Sequence, residues 1–570
     1  MPTVEVIFDD LRRLVGLELP REVGELNELL SYAKGEVEGL SGDELRIEVK
    51  DGNRPDLWNV EGIARQLRGA LGVEEGLKRY TVEAFSGVEI DVDPRLQTIR
   101  PYIASAVVEG VKLDDEAIRE IIHLQDKLDL TYGRKRRRTS IGLYNHDLIT
   151  PPLRYGASTP TEVSFIPLEG EEEMTLEEIL ERHPKGLEYG HIVKAHDLWP
   201  ILVDSKDRVL SFPPIINSND LGKITVDVEN ILIEVTGTVY ETVLKAVTIV
   251  TLSLADRGER IYSVKVNYPY GEVKTDTTPR LENPKIRVET GYVNEVLGLD
   301  LDRESVVALL KKARYGVSQV GDGYIDVVVP CYRVDIMHPV DVVEDIAIMY
   351  GYNNIEPRWP QAVTFGGISE REAFSDLVRE VMIGLGFQEI LTFSMNNVQN
   401  LFDRMNLPRQ RMVNISNPKT LRYTCLRSWL MPSLVEFLSS NTHVEYPQRV
   451  FEAGECVVFD NNSLTGTRDV TKLACLIIHS SASFSEAKAV LDALLLNLGI
   501  GYKLEGVEHG SFIEGRVGEI LIGGRGLGMI GEISPKVLEN WKLENPMVGF
   551  EIDLDKILEQ LQATEPTRRI

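Results

Sequence analysis

The strongest constraint that this sequence places on its fold is a concentration of negative charge in residues 332–352, YRVDIMHPVDVVEDIAIMYGY. Four carboxylates fall within eleven residues: Asp335, Asp341, Glu344 and Asp345. The His338-Pro339 dipeptide disfavours helix before it and predicts a helix that begins near Val340 and ends at Gly351. Three of the carboxylates then share one face at spacing i, i+3, i+4, and the apolar residues between them predict a buried opposite face.

Like charges at this spacing repel each other unless a positive group lies among them. We expect only Arg333 and His338 to offer that charge. The helix dipole stabilises an acidic residue in the first turn by about 0.3–1 kcal/mol, which explains Asp341 but not all four carboxylates. A divalent cation with oxygen ligands would remove the conflict, and few protein ligands with room for water favour Mg²⁺ over Ca²⁺. A solvated acidic face is the alternative.

Length and composition predict a large cytoplasmic protein. The chain of 570 residues has room for roughly three or four domains. No apolar run approaches the ~20 residues of a membrane span, and the N-terminus carries acids where a signal peptide would be basic. The four cysteines have no CxxC spacing, which predicts neither zinc nor disulfides.

The charge balance limits the partners that the chain can bind. A net charge of −27 disfavours general binding to polyanions, so any contact with nucleic acid must be local or helped by a partner. One basic run, RKRRR at 134–138, is the exception. A solvated loop is its simplest interpretation, and a local contact with RNA is the alternative.

Hydrophobic periodicity divides the chain into four regions and predicts a multidomain α+β fold. Residues 1–85 mix short helices and strands, and residues 86–275 are richer in strands. A Pro-rich segment at 276–284 predicts a linker. A helix, a hairpin and the acidic helix follow, and together they suggest a winged-helix-like module at 276–353. This module has no basic recognition face, so we expect no binding to DNA. Residues 354–570 read as one α+β domain.

Three motifs occur in an order that is typical of one family. They are NRPDL with VEGIAR near the N-terminus, YRVDI–DVVED–YGYNN in the acidic segment, and FEAGE at 451–455. Over essentially its full length the chain resembles the β subunit of phenylalanine–tRNA ligase in its archaeal and eukaryotic form. The resemblance implies four parts: a mixed N-terminal structural domain (1–85), a β-rich tRNA-editing domain (86–275), a winged-helix-like Mg-binding module (276–353) and an inactive class II catalytic-like antiparallel-sheet domain (354–570).

The resemblance also implies partners and cofactors. The β subunit would join an α subunit in an (αβ)2 heterotetramer that attaches phenylalanine to tRNA(Phe) using ATP. The α subunit would carry the synthetic site and bind most of the ATP. A Mg²⁺ site shared with that subunit maps onto four residues: Asp335, Asp341, Glu344 and Asp345.

The last domain carries acids where an active class II site needs arginine. Such sites hold the phosphates of ATP with arginine side chains that donate two parallel hydrogen bonds. Glu452 stands in FEAGE where active relatives carry arginine, and the terminal MVGFEIDLD is acidic. Anionic side chains repel a triphosphate, so we expect no synthetic activity here. The stretch GLGMIG (526–531) matches a dinucleotide-binding pattern, but the residues after it predict a strand rather than the required helix.

A pocket shaped for phenylalanine rejects tyrosine by only about 10²-fold, because tyrosine adds no more than a hydroxyl. A second, hydrolytic pocket that requires the hydroxyl corrects the error. The resemblance places this pocket around residues 209–219 and 231–238. It implies these roles: Leu202 as wall, Ser211 and Thr236 as polar groups near substrate or water, Glu234 as acceptor of the tyrosine hydroxyl, and Asn217 as a further substrate contact.

Ordinary structural roles are the alternatives for these residues. Ser211 and Asn217 suit turns, and Glu234 suits a paired carboxylate on a strand. No nucleophile–base pair is evident, which favours a positioned water and assistance from the substrate itself. The sequence therefore predicts an editing β subunit of phenylalanine–tRNA ligase, with a non-catalytic scaffold that carries a decayed editing domain as the alternative.

Overall fold

The computed structural model describes residues 2–258, 260–271, 274–359 and 364–564. The chain divides into two compact units, Met1–Trp359 and Pro360–Ile570. The boundary lies six residues beyond the predicted one at 353, and the finer divisions of the first unit stay predictions. None of the helices in the described ranges combines the length and apolar character of a membrane span.

The first unit begins with a three-stranded sheet, ordered β1-β3-β2 within the described residues. The strands are β1 (Thr3–Ile7), β2 (Gly35–Ser41) and β3 (Glu44–Val49), and the helices are α1 (Phe8–Val15), α2 (Val23–Ser31) and α3 (Val60–Ala70). The sequence offers Asp56 and Asn59 as alternative caps of α3, and Asn59 takes this role by accepting from the Gly62 amide.

A ten-stranded sheet, counted over the described residues, fills the middle of this unit. Its strands are β4 (Val82–Val92), β5 (Tyr102–Glu109), β6 (Thr139–Asn145), β7 (Leu153–Ser158), β10 (Trp199–Val203), β11 (Val209–Phe212), β12 (Ile216–Asn217), β13 (Ile231–Gly237), β14 (Arg260–Asn267) and β15 (Thr275–Thr278). A small pair comprises β8 (Ser164–Phe165) and β9 (Met174–Thr175). The helices are α4 (Asp115–Leu130), α5 (Leu176–Arg182), α6 (Pro184–Tyr189) and α7 (Tyr240–Ala255).

The strand β13 lies between β5 and β6, and every one of its residues is buried. The apolar helix α7 packs against it. A strand buried on both faces requires an almost continuous apolar run, and ILIEVTG provides one with a single charged residue, Glu234. That residue shares its face with Leu232 and Thr236, as alternation along a strand predicts.

The predicted helix–hairpin–helix module is present. Its elements are β16 (Lys285–Glu289), α8 (Thr290–Leu297), α9 (Arg303–Lys312), β17 (Gly316–Val320), β18 (Tyr324–Val328) and α10 (Pro339–Tyr350). The predicted linker at 276–284 starts too early, because residues up to Thr278 form β15 and pair with β14.

The second unit contains a sheet of seven described strands in the order β19-β22-β23-β27-β26-β25-β24. They are β19 (Gln388–Glu389), β22 (Gln448–Phe459), β23 (Thr467–Ile478), β24 (Lys503–Gly506), β25 (Phe512–Ile522), β26 (Arg525–Ile533) and β27 (Met547–Asp553). A separate pair comprises β20 (Met395–Asn396) and β21 (Cys425–Leu426). The helices are α11 (Glu370–Gly384), α12 (Met431–Ser440), α13 (Phe484–Asn497), α14 (Pro535–Trp541) and α15 (Leu554–Thr564).

Both faces of this sheet are buried. Leu473 and Cys475 of β23 enter one hydrophobic cluster, and Ala474 and Leu476 enter another. All pairings except β19 with β22 are antiparallel, as predicted for this domain.

The glycines of GLGMIG lie in strand β26, as predicted, and serve close packing between strands. A Cβ atom on Gly528 would lie 1.9 Å from the carbonyl oxygen of Glu551 on β27. A Cβ atom on Gly531 would lie 2.6 Å from the ring of Phe512 on β25. Side chains at these positions would therefore separate the strands.

The four cysteines are free and buried: Cys331, Cys425, Cys456 and Cys475. Burial raises the pKa of the Cys456 thiol to about 12. These thiols behave as small apolar side chains of the two cores.

Candidate functional site

A cavity of about 470 Å³ opens among α4, the segment 211–217 and β13. Isoleucines of α4 and the Phe212–Ile216 stretch give it an apolar lining. Polar groups on the lining include Ser211, Asn217 and Glu234, three of the five predicted editing residues. This volume and this mixture of many apolar groups with few polar ones are typical of a small-molecule site.

Glu234 is the most informative group in the cavity. Its side chain is 3% exposed, and its Oε2 accepts a hydrogen bond of 2.9 Å from the Tyr144 hydroxyl. Its Oε1 is buried and makes no hydrogen bond of ordinary geometry with the described residues, although the Thr236 side chain lies near the carboxylate and also lowers its pKa. Burial raises the pKa of Glu234 to about 7, against the lowering effects of the Tyr144 hydroxyl and the Arg100 charge. A buried acceptor without a partner favours a ligand that donates a hydrogen bond.

The residue paired with Glu234 on the neighbouring strand is a glycine. Gly142 of β6 pairs with Glu234, and a Cβ atom there would lie 2.2 Å from the Tyr144 hydroxyl oxygen. The glycine thus allows the Tyr144 phenol to reach the carboxylate across the strand pair.

Thr236 lies two residues further along β13, but its hydroxyl is already engaged. Its Oγ1 accepts from Nε of Arg100 at 2.9 Å and lies 3.1 Å from Oγ of Ser140. Arg100 also donates to the Thr236 carbonyl at 2.7 Å. In the described structure Ser140, and not Thr236, reaches the cavity lining. Thr236 therefore contributes to the site through Arg100 and Ser140.

The remaining predicted residues occupy different positions. Ser211 on β11 has a buried Oγ that makes no hydrogen bond of ordinary geometry within the described residues. Asn217 on β12 places its Oδ1 3.4 Å from the Tyr144 hydroxyl. Leu202 pairs with Ser211 across β10 and β11, but it packs in the core with Tyr144 and is absent from the described cavity lining. Its role as a wall stays a prediction.

Arg136 is a cavity residue that the sequence did not single out individually. It belongs to the basic run, yet its side chain is buried and donates from Nη1 to the carbonyls of Pro214 and Ile215 at 3.2 and 2.9 Å. Its Nε lies 3.1 Å from Oδ2 of Asp129, whose pKa burial raises to about 7. These contacts join residues far apart in the chain, so the run alone gives no signal that one of its members turns inward.

Two of the four acidic residues are held by Arg333. Asp335 accepts from Arg333 through both oxygens, at 2.8 and 2.6 Å. Oδ2 of Asp345 accepts from Nη1 of Arg333 at 2.7 Å and from the Tyr315 hydroxyl at 2.5 Å. Arg54 of the NRPDL motif approaches the same carboxylate at 4.0 Å.

The other two have separate partners. Asp341 accepts from the amides of Met337 and His338 at 2.8 and 2.7 Å and so caps the start of α10. Glu344 is 51% exposed and lies 3.2 Å from Nζ of Lys34. The expectation that only Arg333 and His338 would neutralise this segment is wrong, because Lys34 and Arg54 approach it from the first sixty residues.

The oxygen donors of this cluster suit Mg²⁺, but their arrangement does not form a complete site. No three His, Cys, Asp or Glu side chains in the described residues are placed to hold one ion together. Arg333 occupies the space between Asp335 and Asp345. The residues therefore do not fit a metal held by this chain alone, and the predicted shared Mg²⁺ site stays a prediction.

The acids of the second unit have internal partners. Oε1 of Glu452 lies 2.8 Å from Nη2 of Arg427, and both side chains are buried. Glu551 accepts from the amides of Leu430 and Met431 and pairs with Lys472 at 3.0 Å. Glu551 thus joins the sheet to the start of α12, and the Arg427 guanidinium neutralises Glu452.

Comparison with known proteins places this architecture in a family. Residues 286–352 match the tRNA synthetase B5 domain, and residues 355–554 match the phenylalanyl tRNA synthetase beta chain CLM domain. The phenylalanine–tRNA ligase beta subunits of Pyrococcus furiosus and Pyrococcus abyssi are 46% and 45% identical to the chain, each over 97% of it and 99% of the relative. A crystal structure of an N-terminal fragment of the phenylalanyl-tRNA synthetase beta subunit from Pyrococcus horikoshii matches 62% of this chain and 100% of the fragment, with a TM-score of 0.59 and 42% identity. The chain belongs to the phenylalanine–tRNA ligase beta-subunit family.

Proposed function

We propose that this chain joins an α subunit as an (αβ)2 phenylalanine–tRNA ligase of the cytoplasm, which uses ATP to attach phenylalanine to tRNA(Phe). In this proposal the α subunit carries the synthetic site, and a Mg²⁺ ion is shared between the subunits. The cavity of the first unit hydrolyses tyrosyl-tRNA(Phe) that the synthetic site makes in error.

The observation that carries the editing proposal is the unpartnered Oε1 of Glu234 inside the cavity. A tyrosine ring enters the apolar lining and donates its hydroxyl to this oxygen. Phenylalanine would leave the same oxygen buried without a partner, and such a site rejects the analogue that lacks the hydroxyl by about 10⁴–10⁵-fold. The hydrolytic site therefore spares the correct product.

The reaction is an ester hydrolysis. Water adds to the ester carbonyl, the acyl C–O bond breaks, and the terminal ribose hydroxyl leaves with a proton. Ser211 offers a buried hydroxyl inside the cavity near the Tyr144 phenol, and Ser140 offers one that Arg100 orients at 3.0 Å. These groups suit the positioning of water and ester, and neither is paired with a base in the described structure, which supports assistance from the substrate.

The test is deacylation of purified tyrosyl-tRNA(Phe) by the complex. Glu234→Ala and Thr236→Ala should each reduce the rate, the first by removing the acceptor and the second by freeing Arg100. Glu89→Ala, on the exposed Lys265 pair, serves as the matched control. Unchanged deacylation in both cavity variants would refute the editing proposal and leave the family assignment intact.

A further inference from the structure

We infer that a basic collar beside this cavity binds the phosphates of the RNA 3′ end that carries the substrate ester. The collar is defined as Arg134, Lys135 and Arg137 of the loop after α4, together with Lys185 and Lys223. The inference rests on the proposed function, since it names the surface that delivers tyrosyl-tRNA to the cavity.

The loop of the collar has an unusual backbone. Arg134, Lys135 and Arg136 follow one another with φ values of 50°, 55° and 62°. Residues other than glycine rarely adopt this left-handed backbone conformation, which costs about 1–3 kcal/mol for each residue. Backbone bonds hold the loop in this shape, for example from the Arg136 amide to the Asp129 carbonyl at 2.9 Å and from the Arg138 amide to the Gly133 carbonyl at 2.8 Å. Strain that the fold maintains in this way is common at binding sites.

Arg136 fixes this loop to the cavity. Its guanidinium donates to the carbonyls of Pro214 and Ile215, which line the cavity together with it. The residues on either side of it point outward. Arg134, Lys135 and Arg137 are exposed, and no carboxylate of the described chain lies within 4.0 Å of their charged groups. The loop thus holds three unneutralised cations at the cavity edge.

Lys185 belongs to the same surface. Its Nζ lies 5.8 Å from the centre of the Tyr189 ring, and the Arg136 guanidinium lies 4.4 Å from that centre. Lys185 and Lys223 both line the cavity. Carboxylates also lie here: Asp126 and Glu169 line the cavity, and Glu188 lies 4.0 Å from Nζ of Lys185. Within the described structure the collar cations without a carboxylate within 4.0 Å are therefore the three of the loop and Lys223.

RNA is the occupant that fits this surface. The ester that the cavity hydrolyses is attached to the terminal ribose of an RNA, so phosphates must pass close to the cavity edge. A protein with a net charge of −27 repels RNA over most of its surface. Local cations are then required to orient the strand, and contacts to phosphates do this without reading sequence.

The experiment compares a large and a small substrate in the assembled α–β complex. The collar variant carries Arg134→Gln, Lys135→Gln and Arg137→Gln, and the matched control carries Lys112→Gln, Lys206→Gln and Lys274→Gln, which are exposed and off the cavity lining. We expect kcat/KM for tyrosyl-tRNA to fall at least tenfold in the collar variant, mainly through KM. Hydrolysis of the 3′-tyrosyl ester of adenosine should stay unchanged, because this small ester keeps the ribose hydroxyls but has no phosphate.

Salt dependence gives a second readout. Each phosphate contact to a single strand contributes about 0.7 to the slope of log affinity against log salt. Three lost contacts should therefore make the slope for an acceptor-stem RNA shallower by about 2. A collar variant with the parent's RNA affinity, salt slope and tyrosyl-tRNA kinetics would overturn the inference. Loss of RNA affinity in the collar variant, with no ester hydrolysis in the parent, would instead reject the editing function and support the collar.

Discussion

Glu234 is a carboxyl group in surroundings that oppose its charge. Burial raises its pKa to about 7, while the Tyr144 hydroxyl and the Arg100 charge act in the other direction. The ionised form is the stronger acceptor for a phenol, since hydrogen bonds to charged groups contribute about 1.5–3 kcal/mol. Near neutral pH the residue therefore changes between a stronger and a weaker acceptor.

This titration gives the hydrolytic site a defined pH dependence. We expect kcat/KM for the 3′-tyrosyl ester of adenosine to rise between pH 6 and pH 8 with a midpoint near the Glu234 pKa of about 7. Glu234→Gln should lower the plateau by roughly 10- to 100-fold and remove this midpoint. A midpoint at the ordinary glutamate value, or a profile unchanged in the Gln variant, would contradict the assignment.

Glu234 also affects the stability of the fold, and this contribution falls as pH rises, whereas the rate of hydrolysis increases. A raised pKa in the folded state means that its favourable contribution is present below the ordinary value of 4.5 and is lost as pH rises through about 7. Glu234→Gln should therefore raise the melting temperature relative to the parent more at pH 8 than at pH 5, a difference that calorimetry would measure. Tyr262→Phe, on a partly buried phenol of β14, is the control and should show no such change with pH.

At the scale of elements, local patterns and distant contacts differ in what the sequence reveals. The helix α10 begins within one residue of its predicted start, because a proline and a glycine mark its ends. The sequence pattern also predicts a strand at 411–416, and this prediction is wrong, since only an isolated bridge between Asn414 and Cys425 occurs there among the described residues. The apolar residues of that segment resemble a strand, but apart from this bridge no described strand pairs with them.

The ion network beneath α10 supports a prediction about stability. Removal of Arg333 leaves Asp335 and Asp345 buried without their principal partner, and breaking a buried pair in this way costs about 3–5 kcal/mol. We expect Arg333→Gln to speed amide hydrogen exchange throughout α10. The control, Arg287→Gln, removes a pair whose arginine is 58% exposed and should leave hydrogen exchange in α10 close to that of the parent. Equal exchange rates in the two variants would show that the network does not stabilise the helix.

The same network predicts how the chain responds to Mg²⁺. Arg333 already neutralises Asp335 and Asp345, and Glu344 is the most accessible of the four carboxylates for a partner. Millimolar Mg²⁺ should therefore leave the melting temperature of the isolated chain unchanged and raise that of the complex with the α subunit. A rise in the isolated chain that Glu344→Gln abolishes would show that this chain binds the ion alone.

At the scale of the whole molecule, the two units have separate cores. The clusters of the first unit lie within residues 1–359 and those of the second within residues 360–570. We expect a fragment of residues 1–359 to fold alone, to unfold in a cooperative transition by circular dichroism, and to hydrolyse the 3′-tyrosyl ester of adenosine. An insoluble fragment, or a soluble one that lacks this hydrolysis while the complex retains it, would refute the prediction.

The helix–hairpin–helix module at 276–353 followed from periodicity and end signals, which act over a few residues. The site did not follow in the same way, because its contacts join positions far apart in the chain. Tyr144 and Glu234 are separated by 90 residues, and Arg136 and Pro214 by 78. Glu234, Ser211 and Asn217 entered the prediction through family resemblance, whereas Tyr144, Arg100 and Arg136 required the folded sheet.

The burial of every native thiol has a practical consequence. Maleimide reagents attack exposed thiolates and should leave these four side chains unmodified. Lys135→Cys would then accept a single fluorophore without prior removal of the native cysteines. Energy transfer from that dye to one on the terminal nucleotide would follow, molecule by molecule, the arrival of a charged RNA end at the hydrolytic domain.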